Sequence, residues 1–205
     1  MADTYESIEA LCAVESENVD FGVEVRLISD IAIVAPHGGG IEPGTSEIAC
    51  EIAGAELSLY LFEGLKPSGN KVLHVTSSRF EEQRCVLLLE GCDVAVAIHG
   101  CADRNDSESS AFLGGLDTEL RGRLIEALNK AGHPAEIDGD LPGTDPSNIC
   151  NRTRRGRGVQ IEVAHHLRQE MFASLSRAGW RCKRDPFYTF CSAIQQVLTD
   201  QGVAG

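Results

Sequence analysis

Two stretches of the chain are apolar at every position: Ile31-Ala32-Ile33-Val34-Ala35 and Val94-Ala95-Val96-Ala97-Ile98. That is the pattern of central strands covered on both faces. Phe21 to Leu27 alternates with period two and predicts a strand with one wet face. Ser29-Asp30 reads as a turn, so this strand is expected to pair antiparallel with the Ile31 strand. Leu57–Phe62, Val72–Val75 and Val159–Val163 are the remaining strand candidates. Helical spacing marks 3–14, 45–55, 81–90, 117–131, 167–177 and 187–200. Thr45-Ser46-Glu47 offers a capping residue and an early acid. Residues 138–150, rich in Gly, Pro, Asp and Asn, predict a long loop. Strands alternating with helices predict an α/β fold: one domain over 1–205, with a central mixed β-sheet and helices on both faces.

In such sheets function collects beyond the C-terminal ends of the strands. His37, Thr76, His99 and Glu162 all fall at or near predicted strand ends. His37 is followed by Gly38-Gly39-Gly40-Ile41-Glu42. Catalytic zinc sites of the His₂Glu type take two ligands from one short segment, a third from far away, and leave one position open for water. His37 and Glu42 form the near pair, since glycines let the backbone fold tightly between them. His99 is the distant ligand. Glu162 sits inside an apolar strand, where a carboxylate is costly without a task, and it suits a general base. The reverse assignment, Glu162 as ligand and Glu42 as base, stays open. A phosphate cradle is disfavoured, because no Lys or Ser/Thr stands at a P-loop position. His165-His166 points apart whether on helix or strand. His74 and His133 read as packed and loop residues.

Charge narrows the partners. The formal net charge is −13, which leaves no broad basic surface for nucleic acid or an anionic membrane. Arg152, Arg154, Arg155 and Arg157 are a local exception. Asn151, Arg152 and Arg154 precede the Glu162 strand, so this basic strip can overhang the same cleft and hold substrate carboxylates. A solvated basic face is the other reading. Arg79, after Thr76-Ser77-Ser78, is a candidate for oxyanion stabilisation, with Thr76 as a substrate contact. The N-terminus is acidic and no apolar run approaches the about 18 residues of a membrane span. A cytoplasmic, monomeric protein is expected. Eight cysteines without a CxxC pair, most inside apolar runs, read as reduced and buried.

Several segments together resemble a known family. They are Pro36-His37-Gly38-Gly39-Gly40-Ile41-Glu42-Pro43-Gly44-Thr45-Ser46-Glu47-Ile48-Ala49, His74-Val75-Thr76-Ser77-Ser78-Arg79-Phe80, Ile98-His99-Gly100-Cys101, Asn148-Ile149-Cys150-Asn151-Arg152 and Gly158-Val159-Gln160-Ile161-Glu162. The chain resembles the poly-γ-glutamate hydrolases of bacilli and their phages, from about Tyr5 to the C-terminal helix. The resemblance implies a zinc carboxypeptidase-like fold and a zinc-dependent hydrolase of γ-linked glutamate amide bonds. It implies that His37, Glu42 and His99 hold zinc and that Glu162 is the general base or acid. The implied partner is an anionic γ-linked glutamate polymer, and a phage-encoded chain would be released on lysis. The strip from Arg152 to Arg157 is more basic than the family pattern leads one to expect. Two alternatives remain: a zinc deacylase or carboxypeptidase for small acylated amino acids, and a non-catalytic zinc module that binds an anionic polymer.

Overall fold

The two wholly apolar runs become neighbouring strands at the centre of the sheet, because only there can both faces be covered. The computed structural model describes residues 3–104 and 110–202. In chain order the elements are α1 (Ile8–Cys12), β1 (Phe21–Arg26), β2 (Ile31–Gly39), α2 (Thr45–Ala53), β3 (Ser58–Gly64), α3 (Gln83–Glu90) and β4 (Val94–Gly100). Then follow β5 (Ala111–Gly114), α4 (Thr118–Lys130), β6 (Ala135–Ile137), β7 (Val159–Val163), α5 (His165–Met171) and α6 (Asp185–Gly202). Among the described residues the strands form one mixed sheet in the order β1-β3-β2-β4-β7-β5-β6. The inner four, β3, β2, β4 and β7, run parallel. Their C-terminal ends therefore share one edge.

Both faces are covered, as the α/β pattern predicts. Ile48 and Ile52 of α2, Leu124 of α4, and Phe187 and Ile194 of α6 pack on one face with Ile33, Val96 and Ile161. Ile8 and Leu11 of α1 and Leu88 and Leu89 of α3 pack on the other with Val34, Ala97 and Tyr60.

The structure differs from the sequence reading in several places. β1 pairs antiparallel with β3, not with β2. β2 needs apolar neighbours on both sides and takes β3 and β4, which leaves the half-wet β1 at the edge. Residues 70–73 form a 3-10 turn rather than a strand. Gly69 turns the chain at φ +75°, and Leu73 and Val75 cap the sheet face from above instead of joining its edge. β5 and β6 have four and three residues and were not foreseen. α1 and α5 are shorter than predicted. All eight thiols are unpaired; Cys85, Cys92, Cys150 and Cys191 are buried, but Cys12, Cys50 and Cys182 are exposed. No described helix is long and apolar enough to cross a membrane.

Candidate metal centre

β2 does not stop at Ala35. It continues through His37 to Gly39, with one extra residue in β2 against β3 between Ala35 and Gly38. Such a bulge re-aims a side chain, and here the residues in it are Pro36 and His37. The glycines are needed for close approach as much as for turning. Gly39 has φ +59°, and a Cβ there would lie 2.8 Å from the Gly64 carbonyl oxygen of β3. The chain then folds back: the Glu42 amide donates to the His37 carbonyl at 2.9 Å. Gly44, at φ +97°, starts α2 in place of the expected Thr45 side-chain cap.

This loop returns Glu42 to His37, and β4 delivers His99 beside them. His37 Nδ1 lies 3.3 Å from Glu42 Oε1 and 3.1 Å from His99 Nδ1, and His99 Nδ1 lies 3.7 Å from Glu42 Oε2. The far nitrogens are engaged elsewhere. His37 Nε2 donates to the Val75 carbonyl at 2.9 Å, and His99 Nε2 faces Ser77 Oγ at 3.4 Å. Fixing the proton on Nε2 leaves the Nδ1 lone pair of His37 pointing into the group, the usual arrangement of a metal-ligating histidine. Two ring nitrogens 3.1 Å apart need a proton or a cation between them. Ligand atoms about 2.1 Å from a tetrahedral zinc ion are about 3.4 Å from each other, and the three separations here bracket that value. His37, Glu42 and His99 thus form a donor set that fits a metal ion. His37 and His99 are 1% and 2% exposed. Burial alone would push the Glu42 carboxyl up, but the two imidazoles beside it outweigh burial and hold it below the ordinary range.

Glu162 on β7 is the register partner of His99 on β4, so both side chains stand on the same sheet face. It is 7% exposed. Burial pushes its carboxyl up to about 7; the neighbouring Glu42 adds to the rise and His99 opposes it. A carboxyl in that range can take and return a proton near neutral pH. On its other side Glu162 faces Phe112 of β5. Arg104 lies 3.7 Å above the Phe112 ring and grips the buried Asp138 through two bonds of 3.0 and 2.9 Å.

A family model described as poly-gamma-glutamate hydrolase matches residues 5–193. The chain belongs to this family. Among its relatives, the UPF0714 protein YndL of Bacillus subtilis (strain 168) is 35% identical over 201 residues, spanning 96% of this chain and 78% of YndL. A solved bacteriophage poly-gamma-glutamate hydrolase is 37% identical, covers 100% of both chains and superposes with a TM-score of 0.94. A structure of YndL in a zinc-free apo form is 36% identical, covers 98% of this chain and 99% of its own, and has a TM-score of 0.88.

As a poly-γ-glutamate hydrolase family member the chain is an enzyme, and a cleft of about 670 Å³ opens beside the group that could hold a metal, lined by Glu42, His74, Lys71 and Arg168 among others. His74, expected to be merely packed, lies against His37 with ring centroids 4.1 Å apart and the ring planes tilted by 32°. Its Nδ1 binds Asp3 at 2.7 Å and its Nε2 lies 3.8 Å from Glu42 Oε1. Asp3 also accepts from the Thr76 amide at 2.8 Å and from Arg79 Nη2 at 2.7 Å. Arg79 is therefore turned onto Asp3 and the Glu6 carbonyl, not into the cleft. Thr76 contributes its amide to the same knot, with an exposed side chain.

The basic strip lies elsewhere. Arg154 pairs with Asp30 and Asp93, which precede β2 and β4 and so mark the opposite edge of the sheet. Asn151 is buried, bonded to the Leu116 and Gly158 amides and to the Gly143 and Asp145 carbonyls. Arg152 approaches Glu81 and Glu90. None of the three lines the cleft. They precede β7, and residues before a parallel strand sit at the end remote from its C-terminus. The sequence pattern does not point to Asp3, Lys71 or Arg168 as cleft residues, nor to the full role of His74. Nothing in the spacing marks Arg168. His74 carried a signal in its nearness to Thr76, but its partner Asp3 is remote in sequence.

Proposed function

We propose that the chain is a zinc-dependent amidohydrolase that cleaves γ-glutamyl amide bonds of a poly-γ-glutamate-type polymer. The convergence of His37, Glu42 and His99 beside the buried Glu162, in a chain of this family, carries the reading. A zinc ion held by the two Nδ1 atoms and the Glu42 carboxylate would supply Lewis acidity and a water of lowered pKa. Glu162 takes the proton from the attacking water on its carboxylate and passes it to the leaving amine nitrogen, as its raised affinity for a proton allows. Asp3 orients His74 against the metal group.

The substrate's carboxylates need cations. In the cleft Arg168 is committed to main-chain carbonyls, His165 faces Asp103 and His74 faces Asp3. Lys71 has no ion-pair partner among the described residues, and we assign it to a substrate carboxylate. The test is the Glu162→Gln variant, with zinc content and hydrolysis of γ-linked glutamate polymer measured together. Retained zinc with lost hydrolysis is expected; retained hydrolysis would remove Glu162 from its role. A wild-type enzyme that turns over only N-acyl amino acids would instead make the protein a deacylase.

A further inference from the structure

Arg168 on α5 is a cation that faces no carboxylate within ion-pair distance among the described residues, yet it is 4% exposed. A buried guanidinium is costly unless its donors are satisfied. Each of its three nitrogens donates to a main-chain carbonyl: Nε to Val163 at 3.1 Å, Nη1 to Pro43 at 2.9 Å and Nη2 to Cys101 at 2.9 Å. Those carbonyls lie on three different segments: Val163 is the last residue of β7, and Pro43 and Cys101 lie beyond the ends of β2 and β4. Each follows a functional residue closely. Val163 follows Glu162, Pro43 follows Glu42, and Cys101 stands two residues after His99. The link is tightened at Gly100, whose amide donates to Glu42 Oε2 at 2.8 Å. A Cβ on Gly100 would fall 2.7 Å from the Arg168 guanidinium carbon, so the guanidinium lies flat against the peptide that orients the carboxylate.

We propose that Arg168 is a positioning residue that sets the separation of Glu42, His99 and Glu162, and through them the metal geometry and turnover. The inference rests on the zinc hydrolase reading. A planar fork with donors on three sides can hold three carbonyls at once; an ammonium on a flexible stem cannot reproduce that spread. A brace that served folding alone would have no reason to end each bond beside a residue of the site.

The test compares Arg168→Lys with the wild-type enzyme in three measurements. These are the absorption spectrum of the cobalt(II)-substituted protein, metal affinity by chelator competition, and kcat and KM on γ-linked glutamate polymer. The expected result is an altered cobalt spectrum, with metal affinity and kcat each down about 10–100-fold and KM essentially unchanged, in a protein that melts close to wild type. An unchanged spectrum and kcat, with or without a lower melting temperature, would reduce Arg168 to a structural brace. If Arg168→Lys does not fold, Gly100→Ala presses on the same guanidinium from the other side and decides: its cobalt spectrum must shift, and an unshifted one overturns the proposal. A wild-type protein that binds neither zinc nor cobalt would instead sink the zinc reading itself, which the metal titration of the unmodified chain reports separately.

Discussion

The Nδ1 atoms of His37 and His99, 62 residues apart in sequence, approach to 3.1 Å in the interior of the protein. Neither could be buried so close to the other's lone pair without a cation or a proton to share. Replacing either histidine by alanine is expected to reduce bound zinc well below one ion per chain, measured by elemental analysis after dialysis. Adding zinc to the metal-free wild type should raise its melting temperature, since the ion binds only the folded arrangement. The same addition should leave His37→Ala unchanged.

Glu162 stands directly across from His99, and the role proposed for it separates binding from chemistry. Glu162→Gln keeps the shape and removes the proton acceptor. The expectation is zinc at the wild-type level and kcat down about 10²–10⁴-fold, the usual contribution of a positioned acid or base. Single-turnover kinetics with metal analysis of the same sample checks it.

The cations of the cleft and those of the basic strip should behave differently. Lys71→Met is expected to raise KM for anionic polymer about 5-fold, in keeping with about 1 kcal/mol for a partly exposed charge contact. The rise should shrink at high salt. Arg154→Ala should leave kcat and KM alone, because its partners Asp30 and Asp93 lie at the other edge of the sheet. Steady-state kinetics at two ionic strengths distinguishes the two.

The strip illustrates where the sequence was legible and where it was not. The central strands, the histidines that end them and the acid inside β7 were readable, because uninterrupted apolar runs leave few places for the chain to go. The position of Arg152 and Arg154 was not. Nearness in sequence to the Glu162 strand placed them near its start, and only the parallel direction of β4 and β7 shows that its start is remote from the site. Asp3 was invisible for a different reason: it meets His74 across 71 residues, and a lone acid ahead of a short helix carries no pattern.

Asp3 gives a further test. Asp3→Asn preserves size but weakens the grip on His74, Thr76 and Arg79. Metal-site supports of this kind are commonly worth about 10–100-fold in activity or metal affinity, and a loss of kcat in that range is expected, read beside the melting temperature.

Acid stability should report on Asp138. Burial would raise its carboxyl, but Arg104 and the backbone amides of Asp140 and Leu141 outweigh burial and hold it below the ordinary range. A group depressed in the folded state stabilises above its unfolded pKa of about 3.9 and loses that contribution as pH falls through the folded value. Asp138→Asn should therefore cost about 2 kcal/mol near neutral pH and flatten the fall in stability below about pH 4. Urea unfolding across pH checks both.

The most direct measurement is of the purified wild-type chain: zinc content by elemental analysis, followed by release of free amino groups from poly-γ-glutamate before and after chelation. Zinc near one ion per chain, with hydrolysis that stops on chelation and returns when zinc is restored, is the predicted result. Stoichiometric zinc with no cleavage of γ-glutamyl bonds, or cleavage undiminished in the metal-free protein, would contradict it.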